Sequence, residues 1–93
     1  MDPLLETRIR QAASRLKERG AREVYVFGSV LTEDFRADSD IDLGVIGLPP
    51  ELFFRAMAEV SRIVRRPVDL VALDRDDEVS RSLWRSGDLQ RVG

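Results

Sequence analysis

VYVFGSVLTEDFRADSDIDLGVIG, residues 24–47, is the stretch whose reading decides the fold. The run before it, Arg22–Phe27, is rich in β-branched and aromatic residues and stops at Gly28, which reads as a buried strand. A second apolar run, Ile41–Ile46, is closed by Gly47 and the Pro49-Pro50 pair and reads as the next strand. Residues 29–39 leave room only for a short turn or one-turn helix and a polar loop. That is too little for the helical crossover that usually joins parallel strands, so the sheet is expected to be mixed.

Outward from this centre the pattern alternates. Asp2-Pro3 supplies an N-cap carboxylate and a proline at the first helical position, and Leu5, Ile9, Ala12 and Leu16 recur at helical spacing. This predicts an amphipathic helix over 3–19, with Lys17 and Arg19 in its last turn and Gly20 in the left-handed position beyond it. Downstream, Phe53, Met57, Val60 and Val64 mark a second helix, and Val68–Leu73, opened by Pro67, a third strand. Asp76–Ser86 predicts a shorter helix with Val79 and Leu83 on one face, and Leu89–Val92 is a candidate edge strand. The order α-β-turn-β-α-β-α implies an α/β (α+β) fold, a small mixed sheet flanked by helices, and 93 residues suit a single domain over 1–93.

Composition narrows the chemistry. The chain has no cysteine and no histidine, which removes disulfides, thiol nucleophiles, Cys/His zinc sites and Ser-His or Cys-His pairs. Carboxylates, hydroxyls, arginines or metals must do any chemistry. With a net charge of −2 and arginines scattered rather than clustered, no basic footprint for duplex nucleic acid is present. No apolar run approaches bilayer length, and MDPLLETRIR lacks the segments of a signal peptide, so no membrane association and a cytoplasmic location are expected.

Side chains alternate faces along a strand, so Asp40 and Asp42 point one way while Ile41 and Leu43 point into the core. Asp69 interrupts the apolar strand VDLVAL, where a lone ionised carboxylate is costly unless something positive compensates it. If the three strands are neighbours, the three carboxylates converge. Two like charges about 4 Å apart repel by about 4 kcal/mol at an effective dielectric of about 20, and a divalent cation removes that conflict. Oxygen ligands without histidine or thiolate favour Mg²⁺ or Mn²⁺, ions that leave positions for water and phosphate oxygens. Gly28-Ser29 adds a strand end where backbone N–H groups and a hydroxyl can approach phosphate. Taken singly, Gly-Ser also reads as a plain turn, and Asp40 or Asp42 as turn residues at a strand entry. A calcium loop starting at Asp38 fails, because Leu43 replaces its required glycine and Pro49 its bidentate glutamate.

Gly28-Ser29, ten intervening residues, Asp40-x-Asp42 opening an apolar strand, and Asp69 in a later strand together resemble the signature of the polymerase β-like nucleotidyltransferase superfamily. Within it, VFGSVLTEDFRADSDIDLGV and PVDLV are similar to the minimal nucleotidyltransferase (MNT) domain, the small protein often paired with a HEPN-domain toxin. The likeness runs over roughly residues 20–90. It implies Mg²⁺-dependent transfer of AMP from ATP, or of another nucleotide from its triphosphate, to a hydroxyl, with a HEPN-type partner protein as the expected acceptor. Carried onto this chain, Asp40 and Asp42 hold two Mg²⁺ ions, Asp69 completes the site of the ion that activates the attacking hydroxyl, and Gly28 and Ser29 hold the triphosphate. Many members carry an arginine three positions after the serine, followed by glycine. Here Thr32 and Glu33 occupy those places, and Arg36 is the nearest candidate replacement in sequence.

A second expectation comes from a different class: a non-catalytic subunit that binds its partner by contact, with a weakened metal and nucleotide site. Either role leaves little material for holding a base or an acceptor, which favours a partner. Leu52, Phe53, Phe54 and Trp84 are the apolar positions that could serve an interface or complete the core.

Overall fold

The computed structural model describes residues 2–93. Its elements are α1 (Pro3–Glu18), β1 (Glu23–Phe27), a 3₁₀ turn (Gly28–Leu31), β2 (Ile41–Ile46), a second 3₁₀ turn (Pro50–Leu52), α2 (Phe53–Val64), β3 (Val68–Ala72), α3 (Glu78–Ser86) and β4 (Gln90–Arg91).

Local chemistry accounts for most boundaries. The Asp2 carboxylate accepts from the Leu4 N–H at 3.4 Å and Pro3 opens α1. At the other end the Ala21 N–H reaches the Leu16 carbonyl at 3.0 Å and the Gly20 N–H that of Lys17 at 3.0 Å, a Schellman closure with Gly20 at φ 116°. Arg65, at φ 62°, takes the left-handed position after α2. There the Ser61 hydroxyl donates to the Met57 carbonyl at 2.8 Å and accepts from the Val68 N–H at 3.1 Å, tying the helix end to the start of β3.

The sheet runs β3-β2-β1-β4. β1 pairs antiparallel with β2 and with β4, and β2 pairs parallel with β3 through the α2 crossover, giving the mixed sheet expected from the short β1–β2 connection. One face is closed by α1 and α2, which pack on each other and bury Ile9, Leu16, Val24, Val26, Ile41, Leu43, Val45, Val60 and Val64. Each large apolar side chain there contributes about 1.5–3 kcal/mol by leaving water. The opposite face carries Tyr25, Phe27, Asp42, Gly44 and Asp69, and α3 lies over part of it.

α3 departs from the expected face. Val79 is 58% exposed, and Ser80 is the buried residue of the helix. The hydroxyl of Ser80 donates to the Ala72 carbonyl at 2.9 Å, while its N–H is capped by the Asp77 carboxylate at 2.8 Å. A polar side chain is the inward contact because it satisfies the carbonyl of Ala72 at the end of edge strand β3, which apolar periodicity does not register. Trp84 stacks edge-on against Tyr25 with ring centroids 5.4 Å apart and donates to the Leu73 carbonyl at 3.0 Å. Leu73 in turn lies so close to Gly44 that a Cβ there would sit 2.4 Å from its Cδ1, so glycine at 44 admits the α3 side to the sheet.

Among the described residues no helix is long and apolar enough to cross a membrane.

Candidate active site

The carboxylates and the Gly-Ser turn meet at one end of the sheet, on the face away from α1 and α2. Asp42 is the second residue of β2 and stands in register with Phe27, the last residue of β1. Gly28 follows with φ 80°, the left-handed region that disfavours side chains. A Cβ on it would lie 2.1 Å from Asp42 Oδ2, so the turn can press against the carboxylate only because residue 28 has none. Ser29 is the second residue of the 3₁₀ turn.

On its other side Asp42 is the register partner of Asp69 in the parallel β2–β3 pair. Asp42 is half-buried, whereas Asp69 and Asp40, which precedes β2, are exposed. Burial, the Asp69 charge and then the Asp40 charge push the Asp42 carboxyl above its ordinary value. Asp69 and Asp40 thus both bear electrostatically on Asp42. Among the described residues, however, no three acidic side chains gather closely enough to hold an ion by themselves. The donor chemistry is that of a hard divalent cation, and the conflict at Asp42 is the kind that such a cation relieves.

The connection between the turn and β2 shows where the chain departs from the family pattern. The Thr32 N–H and hydroxyl both donate to the Ser29 carbonyl at 2.9 Å, and the same hydroxyl accepts from the Asp34 N–H at 3.2 Å. Thr32 thus caps the 3₁₀ turn after four residues. Glu33 and Arg36 are exposed in the loop.

Two parts of this end of the molecule escaped the reading of the sequence. A cleft of about 450 Å³ adjoins Gly28, lined also by Leu31, Thr32, Asp88, Leu89 and Gln90. It exists because β4 pairs with β1, Gln90 against Val26, and carries the α3–β4 corner alongside the Gly-Ser turn. The signals were the candidate edge strand Leu89–Val92 and Gly87, whose φ of 72° lets the chain turn after α3. The second part is Arg66, whose guanidinium grips the loop before Asp40.

The sequence profile of the family described as Polymerase beta, Nucleotidyltransferase matches residues 10–89. No curated protein matches the chain. Among solved structures, a toxin–antitoxin complex with AMP-PNP is similar with a TM-score of 0.71 at 20% identity, over 95% of this chain and 72% of the other. A tri-AMPylated Shewanella oneidensis HEPN toxin in complex with its MNT antitoxin gives a TM-score of 0.64 at 19% identity, over 100% of this chain and 72% of the other. The toxin–antitoxin pair MntA-HepT gives a TM-score of 0.64 at 19% identity, over 97% and 70%. At these identities the likeness establishes a shared fold.

Proposed function

This chain belongs to the polymerase β nucleotidyltransferase family, and from that premise we infer that it transfers AMP from ATP to a hydroxyl on a HEPN-type partner protein, as the antitoxin of a toxin–antitoxin pair. The single observation that carries this reading is the contact between Gly28 and Asp42. The turn suited to phosphate and the carboxylate suited to a metal are built against each other, at a spacing no side chain at residue 28 would permit. The structural neighbours support the choice of partner and nucleotide: one is a complex with AMP-PNP and another contains an AMPylated HEPN toxin.

In this reading Asp40, Asp42 and Asp69 hold Mg²⁺, or Mn²⁺, together with the nucleotide. A set that does not gather three carboxylates by itself leaves positions for phosphate oxygens and water, as Mg²⁺ sites commonly do. A divalent cation held by these carboxylates would neutralise charge on the phosphates and lower the pKa of the attacking hydroxyl. Gly28 and Ser29 receive the β- and γ-phosphates at the start of the 3₁₀ turn, where backbone N–H groups are free of strand pairing. The cleft beside them, walled by Leu31 and Leu89, takes the nucleoside. The hydroxyl oxygen attacks the α-phosphorus on the side of Asp69, at the exposed edge of β3. The α–β bridge bond breaks, pyrophosphate leaves, and one proton is released to solvent.

One observation favours the contact-only role. Thr32, which stands where many relatives have an arginine, spends its hydroxyl and N–H on closing the turn, and Glu33, in place of the glycine that follows, adds a negative charge. Phe54, 77% exposed beside Phe53, offers a partner an apolar anchor.

The deciding experiment is label transfer from ATP labelled at its α-phosphate, with Mg²⁺, purified protein and an extract of its source cells, beside an Asp40→Ala/Asp42→Ala control. A labelled protein band present only with the wild type is the expected result and identifies the acceptor. No band from folded protein turns the reading to contact alone, with Thr32 and Glu33 the first residues to revert.

A further inference from the structure

We propose that Arg66 is the positioning residue of this site: it sets the loop that delivers Asp40, and so decides whether the carboxylates meet a metal together. The inference rests on the functional reading above. Arg66 lies at the corner between α2 and β3, its backbone N–H held by the Ser61 carbonyl at 3.2 Å. From there one guanidinium nitrogen, Nη1, donates to the Arg36 carbonyl at 3.0 Å and to the Ser39 carbonyl at 3.1 Å. The centre of the guanidinium stands 4.6 Å from the centroid of the Phe35 ring, which itself packs against the core.

Those two carbonyls bracket the turn that leads into β2. Its Ser39 N–H donates back to the Arg36 carbonyl at 3.1 Å, and its Arg36 N–H donates to the Ser39 hydroxyl at 2.9 Å. The Ser39 carbonyl belongs to the peptide that joins Ser39 to Asp40, so fixing it fixes the backbone entry of Asp40. The same short segment also controls the other two carboxylates. The Pro67 carbonyl accepts from the Ile41 N–H at 3.0 Å, and Asp69, two residues on, is in register with Asp42. Arg66 and Pro67, the two residues that lead into β3, thus hold in turn the loop of Asp40 and the start of the strand of Asp42.

The role needs one nitrogen with two N–H groups for the two carbonyls and a flat cationic face over a ring, which arginine supplies better than lysine. With its guanidinium engaged in this way, Arg66 acts on the site through the loop backbone rather than as a replacement for the phosphate-facing arginine of relatives.

Wild type, Arg66→Lys and Arg66→Met are compared by titration of Mn²⁺ in the presence of ATP, following by electron paramagnetic resonance the loss of free Mn²⁺ beyond that taken up by the same ATP without protein, and by amide hydrogen exchange. Arg66→Met is expected to weaken Mn²⁺ binding about tenfold or more, the loss usual for residues that orient metal ligands. It is also expected to speed exchange at 37–40 while leaving β1 and β2 protected. Arg66→Lys, which keeps a donor for the two carbonyls, recovers most of the affinity. Should Arg66→Met not fold, Phe35→Leu takes its place, removing the ring while leaving the carbonyl bonds, with a smaller loss in the same direction. Equal Mn²⁺ affinity in the wild type and the variants, or unchanged exchange at 37–40, overturns the role of Arg66 alone. A wild type that binds no Mn²⁺ with ATP overturns the functional reading and the positioning role together.

Discussion

Glu59 and Asp42 are carboxylates on opposite sides of the same sheet, both partly withdrawn from water, and their surroundings drive them in opposite directions. Glu59, on α2, accepts from Arg19 at 2.9 and 2.7 Å and from Arg15 at 3.0 Å, so α1 and α2 are joined by a charge-paired fork. The hydrogen bond from Arg19, with the charges of both arginines, holds its carboxyl down at about 2. Asp42 is raised instead, by burial and by two carboxylate neighbours. The helix-covered face settles its charges within the chain, whereas the open face leaves a conflict that something outside the chain must resolve. Stability is built on the first face, and the proposed binding site lies on the second, where an unrelieved charge is what a bound cation would settle.

The sharpest way to break this comparison is Asp42→Asn, which keeps the shape of the side chain and removes its charge. Transfer is expected to fall by about 10³-fold or more, read by label transfer, and the rise in Tm on adding Mg²⁺ with ATP to vanish. The ligand-free protein should nevertheless melt a few degrees higher. A carboxyl raised in the folded state costs stability as pH climbs through its titration, so at neutral pH the asparagine is relieved of that cost. A ligand-free Tm that drops would mean that Asp42 is structural rather than strained.

Gly28→Ala tests the contact between turn and carboxylate. The left-handed φ alone costs about 1–2 kcal/mol, and the methyl group must displace the Asp42 carboxylate. Thermal melts should show the loss of stability. Transfer should fall further than that loss explains, with the greater part in kcat. Activity intact after this change would separate the phosphate turn from the metal carboxylate and remove the observation on which the functional reading stands.

Glu59→Gln carries the smallest effect and sharpens the other side. A depressed carboxyl contributes stability that is fully present above its unfolded value and is lost as pH falls through the folded one. The variant should therefore melt a few degrees below the wild type at pH 7. The difference should shrink between the ordinary glutamate range and about 2, the value at which Glu59 titrates in the folded protein. Binding of Mn²⁺ with ATP should be unchanged, since Glu59 lies behind the sheet.

The candidate site was legible to an uneven degree. Asp40, Asp42 and Asp69 stand out because an apolar strand rarely tolerates acidic residues, and Gly28 and Ser29 because they end one; the structure brings Asp42 and Asp69 into register and Gly28 against Asp42. The cleft at 87–90 and the grip of Arg66 were not legible. Gln90 meets Val26 across more than sixty intervening residues, and Arg66 acts on carbonyls, which no side-chain pattern encodes. Val79 was misplaced for a related reason: counting apolar residues on a short helix overlooks a serine that turns inward to satisfy a carbonyl.

What the sequence by itself determined are the features whose causes lie within a few residues. Asp2 and Pro3 start a helix, Gly20 closes it, helical and alternating periods mark the elements, and a connection too short for a crossover makes β1 and β2 antiparallel. Only the tertiary structure decided that β3 aligns Asp69 with Asp42, that Gly28 meets that carboxylate rather than open solvent, and that Arg66 reaches over the loop of Asp40. Those relations depend on register and on the packing against the sheet of α2, the helix that connects β2 to β3. Such packing is a sum over many distant contacts, and it is the whole core, rather than any local run of residues, that selects one arrangement.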